Sequence, residues 1–214
     1  MCLKNVLIFG DSYSTFEGYI PAGYATYYSS LGREETDVKS VNETWWYRLF
    51  KETDSRLIQN NSWSGSTICY TGYNGSDCSK TSSFICRLKK LQDAGFFKEN
   101  EIDTVFVFGG TNDSWAGSPV GELKYSDWGE QDLYSVLPAF CFFINELRRI
   151  LPNAHIIPVI NTELKPKIEE GFKAACAHYG IKPVALHNID KRCGHPTIKG
   201  MEQIKNQIID SLSW

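Results

Sequence analysis

The chain has 214 residues and a formal net charge of −3 at pH 7, with 42% hydrophobic and 22% charged residues. These proportions are ordinary for a globular protein, and the slightly acidic balance argues against a nucleic-acid partner and against binding to an anionic membrane surface. The largest basic cluster is Arg87, Lys89 and Lys90. It falls within a helix-like stretch, so we expect it to form a solvated helix face.

The length predicts one domain, spanning residues 1–214, with a core large enough to be stable. No window of the sequence approaches the length of a membrane span. The apolar run Val6–Phe9 is too short for the core of a signal peptide. The expected location is therefore the cytoplasm, with no membrane partner.

Seven cysteines are present, without C-x-x-C pairs and without the Cys/His spacing of a zinc site. We expect most of them to be small buried thiols in a reducing compartment. The clustering of Cys69, Cys78 and Cys86 leaves a local disulfide as the alternative.

Apolar runs typical of buried parallel strands recur along the chain. Val6–Phe9 is continuously apolar, and Thr104–Phe108 is β-branched and aromatic throughout. Three further strands are expected at 57–59, 155–160 and 181–186. The last of these contains a proline and is therefore expected to be an edge or irregular strand.

Helical patterns, with apolar residues spaced by three and four, lie between these runs. The clearest spans 132–151, where Pro138 predicts a kink or a late start. Another begins at Pro196, since proline is favourable at the first helical position. Further helices are expected at 47–51, 84–91 and 165–179. This alternation predicts an α/β fold, with a mainly parallel sheet covered by helices on both faces.

Short polar motifs follow the first three predicted strands. Gly-Asp-Ser stands at 10–12, Ser-Gly-Ser at 64–66 and Gly-Gly-Thr-Asn-Asp at 109–113. Because open α/β sheets place their ligands at the carboxyl ends of the strands, we expect the three motifs to lie together there. Asn112 can then direct its amide, and Gly65 its backbone N–H, at a developing oxyanion. Each motif alone is also ordinary turn chemistry.

One histidine stands in a position that a turn would fix. His195 immediately precedes a proline, whereas the remaining histidines fall in a predicted helix or at the ends of predicted strands. A lone histidine is usually structural or on the surface, so this position by itself is a weak signal.

Taken in this order, the serine, the glycine, the asparagine and the final His-Pro resemble the SGNH hydrolases, the GDSL-like esterases and lipases. The resemblance spans nearly the whole chain and implies that Ser12 is the nucleophile and His195 its base. It implies an oxyanion hole made by the backbone N–H groups of Ser12 and Gly65 and the Asn112 side chain. It also implies a flavodoxin-like three-layer α/β/α sandwich with a mainly parallel, roughly five-stranded sheet. The implied scheme needs no metal and no organic cofactor.

The sequence departs from the family pattern at the third catalytic residue. The family usually has an aspartate three residues before the histidine, and here that position is Arg192. The nearest acid is Asp190. Either the loop bulges so that Asp190 reaches the imidazole, or a backbone carbonyl orients the ring instead. We expect Asp190, because triads are defined by geometry rather than by sequence position.

The resemblance implies hydrolysis, through an acyl-enzyme, of a small or carbohydrate-linked O-acyl ester, with acetyl preferred. The loops near the site are rich in aromatic residues, which can stack on sugar rings. We expect Trp63 and Trp115, together with Asp11, to contact the substrate, although loop aromatics more often belong to the local core. The expected partner is thus a small-molecule or carbohydrate ester, and the oligomeric state is not predicted.

Two alternatives remain open. A non-catalytic module on the same fold would bind carbohydrates or small molecules, and the missing acid favours it slightly. An acyltransferase or a thioesterase would use the same residues on another acceptor or acyl donor. The sequence has no G-x-S-x-G, P-loop or G-x-G-x-x-G motif, which argues against the α/β-hydrolase fold and against nucleotide binding.

Overall fold

A five-stranded parallel sheet forms the centre of the computed structural model, which describes residues 3–212. The strands are β1 (Asn5–Gly10), β2 (Arg56–Ser62), β3 (Thr104–Gly109), β4 (His155–Ile160) and β5 (Val184–Ala185). They lie side by side in the order β2-β1-β3-β4-β5, and every neighbouring pair is parallel. This is the flavodoxin-like order, which confirms the predicted fold class.

Helices cover both faces of the sheet. Those in the described part of the chain are α1 (Trp45–Thr53), α2 (Phe84–Asp93), α3 (Phe96–Glu99), α4 (Thr111–Ala116), α5 (Val136–Ile150), α6 (Pro166–His178) and α7 (Ile198–Leu212). One face packs against α2, α5 and α6, and the other packs against α1 and α7. Among these helices, none has the length and apolar character needed to cross a membrane.

Strand β1 illustrates how the sequence produces a sheet that is buried on both sides. Leu7 and Phe9 belong to the core shared with α2, α5 and α6, whereas Val6 and Ile8 belong to the core shared with α1 and α7. Successive side chains of a strand point to opposite faces. A continuous apolar run is therefore what a strand between two helical layers requires.

Strand β2 is longer than the strand predicted at 57–59. Its second half is polar, so the apolar pattern of the sequence did not indicate it. Asn60 and Ser62 are buried. The Asn60 amide donates to the backbone carbonyl of Ser14 at 2.7 Å, and the Ser62 hydroxyl donates to Asn60 Oδ1 at 2.5 Å. Such bonds allow polar side chains inside a buried strand, but an apolar pattern cannot reveal them.

The helix predicted at 132–151 begins late, as Pro138 indicated. A 3-10 turn at Glu130–Tyr134 precedes α5, and Pro138 lies in the first turn of α5. The first N–H groups of a helix have no partner within the helix, so the missing N–H of a proline causes no loss there.

A small hairpin that was not predicted precedes the last helix. Strands β6 (Lys191–Arg192) and β7 (His195–Pro196) pair antiparallel. The two residues between them, Cys193 and Gly194, have φ angles of 49° and 77°. Two consecutive positive φ angles are typical of a type I′ turn. Helix α7 therefore begins at Ile198, and the start predicted at the proline of β7 is wrong by two residues.

The basic cluster on α2 is divided between the surface and the interior. Lys89 and Lys90 are exposed, but Arg87 is fully buried, so the prediction of a solvated face is wrong for Arg87. Helix α2 presents this position to the sheet, where the guanidinium lies 4.4 Å from the ring centroid of Phe84. It also donates to carbonyls at the ends of β1 and β2.

The cysteines on and before α2 do not form the local disulfide that the sequence left open. Cys69, Cys78 and Cys86 are all free thiols, and both Cys69 and Cys86 are buried. Burial raises the pKa of the Cys69 thiol, which keeps it protonated and unreactive.

We expect Gly171→Ala to lower the free energy of unfolding by about 1–3 kcal/mol, the usual cost of overpacking a core. A Cβ at Gly171 on α6 would lie 2.3 Å from Leu137 Cδ2 on α5. Urea unfolding measures the loss. Ala174→Leu, at an exposed position of the same helix, is the control and should change stability by less than about 0.5 kcal/mol. Equal stability of Gly171→Ala and the wild type would contradict this close helix contact.

Candidate active site

Four of the predicted site residues meet at the carboxyl edge of the sheet. Ser12 follows β1, Gly65 lies in the loop after β2, and Asn112 lies in the first turn of α4 after β3. His195 reaches the same edge from β7, and its imidazole contacts Ser12. Residues almost at opposite ends of the chain thus share one site.

Gly10 permits the tight turn that carries Ser12. A Cβ at Gly10 would lie 2.5 Å from Ser62 Oγ and 2.7 Å from Ser14 Oγ. The chain then enters a 3-10 turn at Ser12–Ser14. Any side chain at Gly10 would therefore displace the turn that positions the serine.

The Ser12 hydroxyl and the His195 imidazole have the geometry of a nucleophile and its base. Ser12 Oγ lies 3.0 Å from His195 Nε2, and His195 Nδ1 lies 3.2 Å from the carbonyl oxygen of Cys193. A carbonyl oxygen only accepts hydrogen bonds, so Nδ1 carries the proton in the neutral ring and Nε2 accepts from the serine. This tautomer can remove the hydroxyl proton.

The Asp190 carboxylate is engaged elsewhere. It accepts a hydrogen bond from the Thr197 hydroxyl, and the Asp190 backbone N–H donates to Gln203 Oε1 at 2.7 Å. Both contacts tie Asp190 to the start of α7. The two-residue turn of the hairpin brings the Cys193 carbonyl to the imidazole, while Asp190 stays at the base of the hairpin. Of the two orienting groups that the sequence left open, the structure places the backbone carbonyl against His195 and not the expected Asp190.

Aromatic side chains enclose the imidazole. The Tyr27 ring stacks on His195 with centroids 3.6 Å apart and an interplanar angle of 8°, and Trp115 contacts it edge-on at 5.7 Å. The Arg33 guanidinium lies 4.8 Å from the centroid of Tyr27. Because His195 covers one face of Tyr27, Arg33 must lie over the other. These contacts hold the plane of the imidazole without a carboxylate.

Two tyrosine hydroxyls anchor the hairpin on either side of His195. Tyr13 donates to the carbonyl of Gly194, and Tyr28 donates to the carbonyl of Pro196 at 3.0 Å. Both rings are buried, so water does not compete for these bonds. The sequence carries no signal for either contact, because the partners lie so far apart along the chain.

The environment of His195 favours the neutral imidazole. Burial lowers its pKa below the ordinary value, and the positive charges of Arg33 and Lys191 lower it further, while the hydrogen bond to the Cys193 carbonyl acts in the opposite direction. A neutral imidazole at pH 7 is the form that can accept a proton.

The side-chain amide of Asn112 is fixed at both of its polar atoms. Its Oδ1 accepts from the Tyr73 hydroxyl at 2.8 Å, and its Nδ2 donates to the Ser66 carbonyl at 3.0 Å. An amide nitrogen has two N–H groups, so one remains for an external oxygen. The sequence does not single out Tyr73 among the loop aromatics, because its polar partner depends on how the loop closes.

The backbone N–H groups of Ser12 and Gly65 are free for an external acceptor. Among residues 3–212, no acceptor is paired with either group. Gly65 has a φ of 82°, in the left-handed region that favours glycine. With the amide of Asn112, these N–H groups are the donors that an oxyanion requires.

Asp113 fixes the loop after β2 and was not predicted as a site residue. Its buried carboxylate accepts from the N–H of Ile68 at 3.0 and 3.1 Å and from the N–H of Cys69 at 3.2 Å. Burial raises its pKa, and these hydrogen bonds oppose the rise. The bonds attach the loop that carries Gly65 to the helix that carries Asn112.

Asp11 was expected to contact the substrate, but its side chain is fully buried and cannot do so. Its Oδ1 accepts from the backbone N–H of Tyr13 at 3.0 Å, which closes the turn of Ser12. Its Oδ2 is buried without a partner among the described residues. Burial raises the pKa of Asp11 to about 7; the charge of Asp113 adds to this, and that of Arg87 opposes it.

Two aromatic rings next to the candidate site residues are exposed. Trp115 is 45% exposed and Tyr73 is 39% exposed, although each contacts a buried or half-buried site residue. Trp63 is half-buried and packs on Tyr24 with centroids 4.3 Å apart. The rim of the site therefore presents flat apolar surfaces to solvent.

Comparison with known proteins agrees with the predicted resemblance. A model of the family described as GDSL-like lipase/acylhydrolase matches residues 4–212. A candidate GDSL-like lipase from Bacteroides ovatus is 46% identical, with a TM-score of 0.91 over 98% of each chain. One from Bacteroides uniformis is 45% identical, with a TM-score of 0.91 over 98% of this chain and 95% of its own.

More distant solved structures share the fold. An acetyl xylan esterase from the rumen bacterium Butyrivibrio proteoclasticus is 18% identical, with a TM-score of 0.61 over 98% of this chain and 63% of its own. No curated protein matches.

We expect the pKa of His195, followed by NMR titration of its imidazole resonances, to lie below the ordinary 6.5. Arg33→Gln should raise it, since the substitution removes a nearby positive charge that disfavours the imidazolium. Arg56→Gln, at the exposed opposite end of the sheet, should leave it unchanged, and His195→Gln identifies the resonance. A pKa above 6.5 in the wild type would contradict this account.

We expect Asp11→Asn to stabilise the protein at pH 8 but not at pH 4. The folded-state pKa of Asp11 is raised from 3.8 to about 7, so the fold favours the neutral carboxyl. The wild type then loses stability relative to the variant as the pH rises from about 4 to about 7, and the difference stays constant above that range. Urea unfolding at four pH values measures it. A stability difference that does not vary with pH would show that Asp11 does not titrate in this range.

Proposed function

The chain belongs to the GDSL-like lipase/acylhydrolase family, and from that premise we propose that it is a serine esterase. The proposed reaction removes a small O-acyl group, acetyl first, from a carbohydrate or another small molecule. The observation that carries the proposal is the 3.0 Å contact between Ser12 Oγ and His195 Nε2, at the same edge of the sheet as Asn112. A nucleophile, a base and oxyanion donors at one place are the parts that acyl transfer needs.

In the first half of the reaction, His195 Nε2 takes the Ser12 proton as Oγ attacks the ester carbonyl. The carbonyl oxygen becomes negative and accepts hydrogen bonds from the N–H groups of Ser12 and Gly65 and from the free amide hydrogen of Asn112. Removal of one such donor costs about 10²- to 10³-fold in kcat in known hydrolases. The imidazolium then gives its proton to the alcohol, which leaves.

In the second half, water attacks the acyl group on Ser12. His195, neutral again, takes a proton from that water, and the same three donors hold the second oxyanion. Return of the proton to Oγ releases the acid and restores the enzyme. All proton transfers use Nε2, so the tautomer fixed by the Cys193 carbonyl serves both halves.

We assign the orienting role to the Cys193 carbonyl and to the Tyr27 ring, and no catalytic role to Asp190. The carbonyl lies 3.2 Å from Nδ1 and the Tyr27 ring lies 3.6 Å from the imidazole. An aromatic face attracts a cation, so Tyr27 favours the imidazolium that forms during attack. The proposed catalytic unit is a Ser-His dyad.

The substrate assignment rests on the exposed rings and on the burial of the nucleophile. Trp115 and Tyr73 offer flat surfaces on which a sugar ring can stack. Ser12 is only 3% exposed, which favours a small acyl group over a long chain. The distant structural neighbour that is an acetyl xylan esterase supports the same class of substrate.

A non-catalytic carbohydrate-binding module is the second candidate. The observation in its favour is that a carbonyl rather than a carboxylate contacts His195 Nδ1, which leaves the imidazolium less stabilised. The experiment below separates the two candidates.

We expect the wild type to hydrolyse p-nitrophenyl acetate and acetylated xylo-oligosaccharides, and Ser12→Ala and His195→Ala to lower kcat by about 10³-fold or more. Asp190→Asn should stay within about threefold of the wild type, because the Asp190 carboxylate contacts Thr197. Asp210→Asn, at an exposed position of α7, is the matched control.

Two outcomes would contradict these assignments. A wild type no faster than Ser12→Ala on every ester would favour the binding module, and glycan binding would then be measured. An Asp190→Asn variant as slow as His195→Ala would replace the dyad with a triad.

A further inference from the structure

A buried arginine lies beneath the two loops that carry the proposed backbone oxyanion donors. Arg87 projects from α2 and its side chain is 0% exposed. Its burial lowers the pKa of the guanidinium to about 9, so burying this charge carries a cost that other contacts must offset. The proposed reaction assigns this residue no role.

All five N–H donors of the guanidinium have acceptors. Nη2 donates to the Gly10 carbonyl at 3.1 Å and to the Ser66 hydroxyl at 3.1 Å. Nη1 donates to the backbone carbonyl of Asn61 and to its Oδ1, and Nε donates to the Ser82 carbonyl at 2.9 Å. Within residues 3–212, no carboxylate takes part in this set. The hydrogen bonds of the guanidinium therefore join the strand ends and the loops, while its charge also acts on the buried carboxyl of Asp11.

These acceptors stand next to the oxyanion donors in the sequence. Gly10 ends β1, two residues before Ser12, and Ser66 directly follows Gly65. The Ser66 carbonyl also accepts from the Asn112 amide. The Arg87 guanidinium thus contacts both loops that carry the backbone donors. It is connected to the side-chain donor, Asn112, through Ser66 alone.

We propose that Arg87 is a positioning residue that fixes the spacing of the oxyanion donors. The inference rests on the proposed esterase function. An oxyanion hole works when its donors are held at hydrogen-bond distance before the charge develops, and a rigid planar fork with five donors can hold two loops together. Lysine, with one flexible ammonium group, cannot replace that fork.

The competing explanation is that Arg87 only stabilises the fold by satisfying strand-end carbonyls. A purely structural role predicts lost stability with unchanged kcat in the protein that remains folded. A positioning role predicts lower kcat with little change in KM, because binding of the uncharged ester does not use the oxyanion donors fully. It also predicts that Arg87 and Asn112 do not act independently.

The test is a double-mutant cycle on kcat for p-nitrophenyl acetate, with Arg87→Lys, Asn112→Ala and the double variant. We expect Arg87→Lys to lower kcat by about 10- to 100-fold with KM within about threefold, and the double variant to lose clearly less than the product of the single losses. Gly171→Ala, which disturbs the packing of α6 on α5, is the control and should lose stability but keep its kcat.

Ser66→Ala provides a second cycle with Asn112→Ala in case Arg87→Lys does not fold. It removes one hydrogen bond of Arg87 and keeps both the charge and the Ser66 carbonyl. We expect Ser66→Ala to lower kcat several-fold. The double variant with Asn112→Ala should again lose less kcat than the product of the two single losses. Circular dichroism and unfolding curves establish that each variant is folded at the assay temperature.

The outcomes separate the inference from the function on which it rests. An active wild type whose folded Arg87→Lys or Ser66→Ala variant keeps its kcat overturns the positioning role alone. Losses that multiply in the cycle also overturn it, since the residues then act independently. A wild type that hydrolyses no ester overturns the esterase function and the positioning role together.

Discussion

A buried polar group without a hydrogen-bond partner costs about 1–3 kcal/mol. The carboxyl edge of this sheet contains several buried polar groups, and each of them needs a partner. The ends of β1 and β2 lie beneath two loops, shielded from water. The guanidinium of Arg87 pairs with their carbonyls, and the carboxylate of Asp113 pairs with N–H groups of the loop after β2. Because these bonds must form, they also determine where the two loops lie, and with the loops the positions of the proposed oxyanion donors.

The imidazole of His195 is held by different forces. In a triad, a carboxylate fixes the tautomer and stabilises the imidazolium. Here the Cys193 carbonyl can fix the tautomer, but it carries only a partial charge. The face of Tyr27, 3.6 Å away, offers a further attraction to a cation. Arg33, on the other side of the same ring, competes for that attraction. Burial of the imidazole, together with the charges of Arg33 and Lys191, favours a neutral ring at rest.

The extent to which the sequence predicted this structure follows from the range of each interaction. Apolar runs identified the strands, and the strand ends located Ser12 and Asn112, because both depend on residues close together in the chain. Arg87 was assigned to the wrong side of α2, since periodicity does not show when a cation is buried against carbonyls. Asp190 was expected at the imidazole as the nearest acid. The expectation failed because sequence spacing alone cannot anticipate a two-residue turn. The Cys-Gly pair within that turn was the one local signal for it, as glycine favours a positive φ.

The use of a backbone carbonyl beside His195 changes what mutation can do to this site. No point substitution deletes a carbonyl, so whichever residue stands at 193, the acceptor remains. What can be lost is its direction, which depends on the positive φ angles at Cys193 and Gly194 and on the two-residue length of the turn. This acceptor of the His195 ring is therefore resistant to replacement but vulnerable to insertion and deletion. A lineage that keeps this arrangement has to conserve the length of a hairpin rather than the identity of an acid.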